Sequence, residues 1–440
     1  MASEQAAASP FRWWVLALLF LSISINLLDR QVLSVVAPLL RERLGISATG
    51  YGRMVFGFML GMALTQLPAG MLLDRWGPRI GLSLMCAWWS AANMLHALAR
   101  TVPHFAVFRF LLGMGECGNY SGGLKVIAQW FPARERALAA GIFNSGTLAG
   151  PIIAVPLVTG LMLRLGWQTA FVATGGLGFL WAMAWALVYR SPEGSKFRVP
   201  SSRPPEAGSP SLELETTNLE LGLGHLLRFR QTWGLLMVRA LAGPVSQFYW
   251  FWLPEYLKRE RHLSLETIGL LAWIPYFCGG LGNLAGGWFS SHLIRRGWPV
   301  DSARKLTFAL AVALTSTSGL TPFVSSTGVA LTLICAAVLG INAFAATFMA
   351  SLTDIFPQQA VARVAGITGV GDSGMSMFLM LATGAIVDRF SYLPVFVSAA
   401  CSPMLALAVI FLVVRRIEPC EAAKTPTLAP LGVGPSFRSH

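Results

Sequence analysis

The sequence predicts an all-α integral membrane protein of twelve transmembrane helices in two six-helix bundles, and three observations carry that prediction. Of 440 residues, 55% are apolar and only 12% are charged, against roughly 25% charged in a soluble globular chain. Apolar segments of about 20 residues or more, each long enough for a hydrocarbon layer of roughly 30 Å, recur as six, a polar gap and six more. The two sets of six also repeat each other in short motifs.

The segments fall near 13–38, 50–73, 79–99, 103–130, 136–162 and 168–189, then near 231–256, 266–294, 303–322, 328–353, 362–387 and 392–414. This divides the chain into a bundle over 11–189, a cytoplasmic linker over 190–230, a second bundle over 231–416 and a flexible cytoplasmic tail over 417–440. The linker reads "SPEGSKFRVPSSRPPEAGSPSLELE", a composition typical of unstructured connections. Residues 1–10 are polar, and the apolar run behind Arg12 is too long for the core of a cleavable signal. Arg75, Arg79, Arg295 and Arg296 lie in short loops on the side of both termini, which the positive-inside rule makes cytoplasmic.

Several function classes are excluded at this stage. The net charge is +13, but the basic residues form no single patch or stripe, so no nucleic-acid partner is expected. The six cysteines show no ligand spacing and the six histidines are scattered, so no metal site is expected. No HExxH, Walker loop or nucleophile arrangement suggests an enzyme. Gly113 to Gly118 spells the G-x-G-x-x-G dinucleotide fingerprint. That fingerprint needs a strand before it, so close helix packing is the better reading here.

The repeats point to transport. "GMLLDRWGPR" follows the second segment and "GWFSSHLIRRG" the eighth; "WFPARERALAAGIFNSG" is echoed by "IFPQQAVARVAGITGVG". Internal duplication of this kind marks secondary transporters whose halves rock about a central site.

The pattern Gly70-x-x-x-Asp74-Arg75-x-Gly77-x-Arg79 resembles the loop signature of the major facilitator superfamily. "RFLLGMGE", "WFPARERALAAGIFNSG", "FYWFWLPEYL" and "GGWFSSHLIRRGWPVDSARK" resemble its anion:cation symporter family, with bacterial hexuronate and other sugar-acid transporters nearest. The similarity covers nearly all of 11–416. It implies a monomeric, multi-pass protein of the bacterial inner (plasma) membrane that imports an organic anion with H+. No cofactor is implied beyond the proton gradient. Two departures stand out. Ser291 replaces the carboxylate that the first half has at Asp74, and Gly146-x-x-x-Gly150-Pro151 half-matches the fifth-helix signature of drug/proton antiporters. An exporter or antiporter of an organic anion or drug is therefore the second reading.

Asp29 and Arg30 stand side by side inside the first segment, where one such charge costs roughly 2.5–3.5 kcal/mol at the centre. Arg30 is about 17 residues, roughly 25 Å, from the segment's cytoplasmic start, and Arg109 is about six residues, roughly 9 Å, from the outer start of the fourth. Both counts place Asp29, Arg30 and Arg109 near one level. Glu116 follows Arg109 on the same helical face, about 10.5 Å deeper. These depths favour an Arg109–Asp29 pair, leaving an arginine whose planar fork suits a carboxylate. The resemblance implies that Arg30 holds the substrate's carboxylate and that Glu116 and Asp29, with Arg109, carry the proton. Low dielectric favours a neutral carboxyl and a neighbouring guanidinium an ionised one, so such a group can exchange a proton as its surroundings change.

Other candidates are read in pairs of alternatives. Arg239 is either a second anion contact or a side chain snorkelling to the surface, and the former is preferred. Asp372 lies near mid-membrane, and Lys125 is read as snorkelling. Asn144, Gln247, Tyr249 and Asn342 are nominated for sugar hydroxyls, with interhelical hydrogen bonding as the other reading. Gly70, Asp74, Arg75, Gly77, Arg79 and Arg134 are nominated as a cytoplasmic gate, with plain topology charges as the alternative.

Overall fold

The computed structural model describes residues 10–190 and 223–419, and these are helical, with no strand among them. Residues 191–222 of the expected linker and 420–440 of the expected tail, like residues 1–9, lie outside the described residues. We number the helices α1 (Phe11–Leu44), α2 (Ala48–Leu95), α3 (Val102–Glu116), α4 (Asn119–Trp130), α5 (Ala133–Leu165) and α6 (Trp167–Val188). After the linker come α7 (Arg230–Arg259), α8 (Trp273–Arg295), α9 (Val300–Ser316), α10 (Thr327–Ile355), α11 (Gln358–Arg389) and α12 (Leu393–Val409).

Eight helical stretches among the described residues are each long and apolar enough to cross a membrane. The four remaining expected segments are helical but depart from the simple pattern, each for a local reason. The second and third run together as α2, interrupted at Gly77, whose φ of 72° is the left-handed backbone that glycine tolerates. The chain doubles back there: a Cβ on Gly81 would sit 3.5 Å from the Cα of Leu73, although eight residues of continuous helix would separate them by about 12 Å. The fourth segment is split into α3 and α4 by a turn at residues 117–118. The seventh, α7, carries Arg230, Arg239, Lys258, Arg259, Pro244 and Pro254 within its length, which lowers its hydropathy.

Helices α1–α6 pack chiefly on one another, as do α7–α12, and α1–α7, α2–α11 and α5–α8 join the two groups. Several polar joints between the groups lie at one end. Ser34 donates to the carbonyl oxygens of Trp250 and Phe251 at 3.1 and 3.0 Å, and the Tyr51 hydroxyl donates to Phe251 O at 2.6 Å. Asp388, at the end of α11, accepts from the backbone N–H groups of Ala48 and Thr49 at 2.8 and 2.7 Å. It thereby satisfies two orphan donors in the first turn of α2. Arg41 pairs with Glu255, and Lys258 with Glu42 at 3.2 Å. Helices α1 and α7 therefore run parallel, with Ser34 level with 250–251 and Arg41 near Glu255.

Small residues set the closest approaches. A Cβ on Gly113 would lie 2.2 Å from the carbonyl oxygen of Phe58, whereas one on Gly141 would meet nothing within 4 Å. The glycines of 113–118 thus serve helix packing. Gly113→Ala should destabilise the detergent-solubilised protein by about 1–3 kcal/mol through overpacking, while Gly141→Ala should stabilise it by up to about 1 kcal/mol. Melting temperatures of the two variants check this.

Candidate functional site

Between the two groups lies a cavity of about 200 Å³, lined by Arg30 from α1, by one face of α7, by α10 and by Asp372 from α11. The α7 residues are Arg239, Ala242, Gly243, Ser246, Gln247 and Trp250. Their spacing, i, i+3, i+4, i+7, i+8 and i+11, is that of a single helical stripe. Phe344 and Phe348 from α10 make apolar wall, and Asn342 adds an amide. That amide accepts from Asn283 Nδ2 at 3.3 Å and donates to Val338 O at 2.8 Å.

Arg30 projects into this cavity and is held from behind by Glu116. Its Nε and Nη2 both donate to Glu116 Oε2, at 3.1 and 2.9 Å. The Arg30 side chain is 16% exposed and that of Glu116 is 0%. Among the described residues, Arg30 Nη1 meets no hydrogen-bond acceptor, and Glu116 Oε1 is buried without a partner. The guanidinium also stands over the Phe58 ring, 5.0 Å from its centroid, a cation–π contact that needs no counter-charge.

The pairing differs from the one expected. Arg109 is buried, and its Nη1 and Nη2 donate to the backbone carbonyl oxygen of Arg30 at 3.3 and 3.2 Å. It shares the ring of Phe58 with Arg30, at 5.6 Å. Asp29 lies elsewhere, accepting from Asn93 Nδ2 at 2.8 Å, and the same amide reaches Thr174 at 2.8 Å. Successive residues on a helix point about 100° apart, so Asp29 turns toward α2 and α6 while Arg30 turns toward α3 and the cavity. Depth counts had placed Arg109 beside Asp29, but they carry no information about azimuth.

Arg239 faces the cavity and does not snorkel. Its Nε donates to Asp372 Oδ2 at 2.9 Å, and its guanidinium lies 5.5 Å from the Phe348 centroid. Gln247 and Asn342 line the cavity. Tyr249 does not: two residues from Gln247, it sits on the opposite side of α7, where its hydroxyl donates to Ser318 Oγ at 2.6 Å. Asn144 is exposed on α5, outside the lining. Ser246, Trp250, Phe344 and Phe348 were missed, although counting the α7 stripe from Arg239 would have found the first two.

Around the Gly77 break, Lys125 pairs with the exposed Asp74 at 2.6 Å and donates to Leu73 O at 3.1 Å. Arg79 donates to Ala186 O at 2.9 Å, and Gly70 has open space around it. Arg75 is exposed, and the Arg134 side chain lies outside the described residues.

Residues 19–348 match the Major Facilitator Superfamily. The chain is 30% identical over 416 residues to the hexuronate transporter of Escherichia coli (strain K12), covering 94% of this chain and 96% of that one. It is 27% identical over 436 residues to a probable galactarate/D-glucarate transporter of the same strain, covering 94% and 97%. The crystal structure of a D-xylose-proton symporter superposes with a TM-score of 0.74 at 15% identity, covering 93% of this chain and 99% of that one.

Replacing Asn93 by Leu would leave the buried Asp29 without its amide donor. A loss of about 1–3 kcal/mol is expected, and Asp29→Asn added to it should recover part of that loss; thermal melts of the single and double variants measure both.

Proposed function

The chain belongs to the major facilitator superfamily, and we propose that within it the chain is a proton-coupled symporter that imports a sugar acid such as a hexuronate or aldonate. It is a multi-pass membrane transporter, not an enzyme. In the proposed topology the twelve segments form bundles over 11–189 and 231–416, with both termini in the cytoplasm. The end tied by Arg41, Glu255, Asp388 and Tyr51 is then the outer one, and the cavity exchanges with the inside.

One observation supports this reading above the rest: a guanidinium in the cavity has its counter-charge behind it and one nitrogen, Nη1, free of acceptors among the described residues. An incoming carboxylate can therefore approach Arg30 from the cavity. Two carboxylates on one arginine would leave an unneutralised negative charge in a low-dielectric site, which is costly. A proton taken up by Glu116 removes that charge and releases the Arg30 fork for bidentate capture. Arg109 positions Arg30 through its backbone carbonyl and makes no competing claim on the acid. Ser246, Gln247 and Asn342 supply polar groups for hydroxyls, and Trp250 and Phe344 supply apolar wall for the ring. Relatives named for hexuronate and for galactarate and D-glucarate agree with an anionic sugar derivative as substrate.

The antiporter reading rests on Gly146 and Gly150. A Cβ on either would meet α1 backbone, 2.7 Å from Phe20 O and 2.5 Å from Ser24 O respectively, so close packing accounts for them without drug export. In proteoliposomes given an inward proton gradient, the protein should accumulate galacturonate, and Glu116→Gln should abolish accumulation while counterflow exchange persists. Gradient-driven accumulation retained in Glu116→Gln would refute the role of that carboxyl, and efflux driven by the same gradient would establish antiport.

A further inference from the structure

Helices α8 and α10 pack side by side in a register fixed by glycine. A Cβ on Gly282 would lie 3.0 Å from the Cα of Leu339, and one on Gly286 2.7 Å from the Cα of Ala343, so the two main chains all but touch. Each helix advances four residues between these contacts, and the two therefore run parallel. Positions at i, i+4 and i+8 share one helical face. One step back along the α8 face from Gly282 is Cys278, and one step back along the α10 face from Leu339 is Cys335. Register thus sets the two cysteines against each other, and their thiols are hydrogen-bond partners.

The other described cysteines are not paired in this way. Cys86 donates to Gly178 O at 3.2 Å, Cys117 donates to Met114 O at 3.1 Å, and Cys401 is exposed on α12. The Cys278–Cys335 pair is half-buried rather than sealed. On α8 it is flanked by Phe277 and Leu281, which are 46% and 44% exposed, and apolar side chains exposed on a membrane-spanning helix meet acyl chains. Neither cysteine lines the central cavity. The pair opens to lipid.

That setting selects the ligand. A net charge is costly in hydrocarbon, which disfavours chemistry that must pass through a free thiolate. Among the described residues no group of three or more His, Cys, Asp or Glu could hold a metal ion, so a four-coordinate ion such as zinc is not served. What fits is a soft centre that takes two sulfur ligands and is neutral both before and after it binds.

We propose that Cys278 and Cys335 form a dithiol site for a monosubstituted trivalent arsenical, which bridges α8 to α10. The hydrated reagent, R–As(OH)2, exchanges both hydroxyls for sulfur. Two As–O and two S–H bonds break, two As–S and two O–H bonds form, and two waters leave. Arsenic stays trivalent and no charge is left in the bilayer. The bridge lies about two turns, roughly 10 Å, from Asn342 along α10. Both of its helices belong to the 231–416 half, so it stiffens the wall that carries Asn342 without tying one half to the other. The site is independent of the anion that the cavity takes.

The test uses the full-length protein in proteoliposomes, with phenylarsine oxide as the probe and intact mass as the readout. After a wash with excess 2-mercaptoethanol, the wild type should retain one phenylarsenic group per chain with the loss of two thiol hydrogens. Ethanedithiol should remove it, because only a second dithiol matches the two-sulfur grip. Cys278→Ser and Cys335→Ser should each retain none after the same wash, since a single As–S bond exchanges with a monothiol. A wild type that keeps no adduct through the wash, or a serine variant that keeps one, would overturn the site. Should a serine variant fail to fold, peptide mapping of the wild-type adduct decides. Arsenic joining the Cys278 and Cys335 peptides supports the proposal, and arsenic on any other cysteine refutes it.

Discussion

An arginine in hydrocarbon is costly unless its charge is offset, and the Arg30–Glu116 pair is how this chain offsets the one that meets the cavity. The neighbouring positions depend on it. Glu116 is fully buried with Arg30 as its ion-pair partner. Phe58 is approached by two guanidinium groups because its π face is an attractive surface that adds no charge. Arg109 holds the Arg30 carbonyl and leaves Glu116 undivided. Asp29 is withdrawn to Asn93 on another face, so a carboxylate adjacent in sequence does not compete for the arginine that meets the cavity.

The surrounding architecture closes the space around that pair at one end. Ser34, Tyr51, Glu255 and Asp388 knit α1, α2, α7 and α11 together beyond the cavity. Much of this closure uses main-chain groups: carbonyls of α7 and the first N–H groups of α2. Such joints form wherever the helix ends come together and can part without leaving charge stranded in lipid, which suits the opening that the proposed transport requires.

The sequence was informative where one dimension suffices. Segment positions, the glycine packing at Gly113 and the placement of Arg30, Gln247 and Asn342 follow from length, residue size and position along a helix. It was less informative about direction around a helix axis. Arg109 was assigned to Asp29 by depth, yet it meets the Arg30 carbonyl; Tyr249 was grouped with Gln247, yet it points to Ser318. The α7 stripe from Arg239 to Trp250 was readable by periodicity once an origin was chosen. Nothing in the local sequence pairs Arg239 with Asp372, since 133 positions separate them and only packing of α7 on α11 joins them.

The exchange of Glu116 for a substrate carboxylate on Arg30 is the step on which the account stands, and it can be measured without transport. Binding of galacturonate to the purified protein, followed by calorimetry in two buffers of different ionisation enthalpy, reports the protons taken up per ligand bound. Uptake of about one proton by the wild type, falling to near zero in Glu116→Gln, is the expected result. Tight binding by the wild type with no proton uptake, or an undiminished uptake in Glu116→Gln, would contradict it.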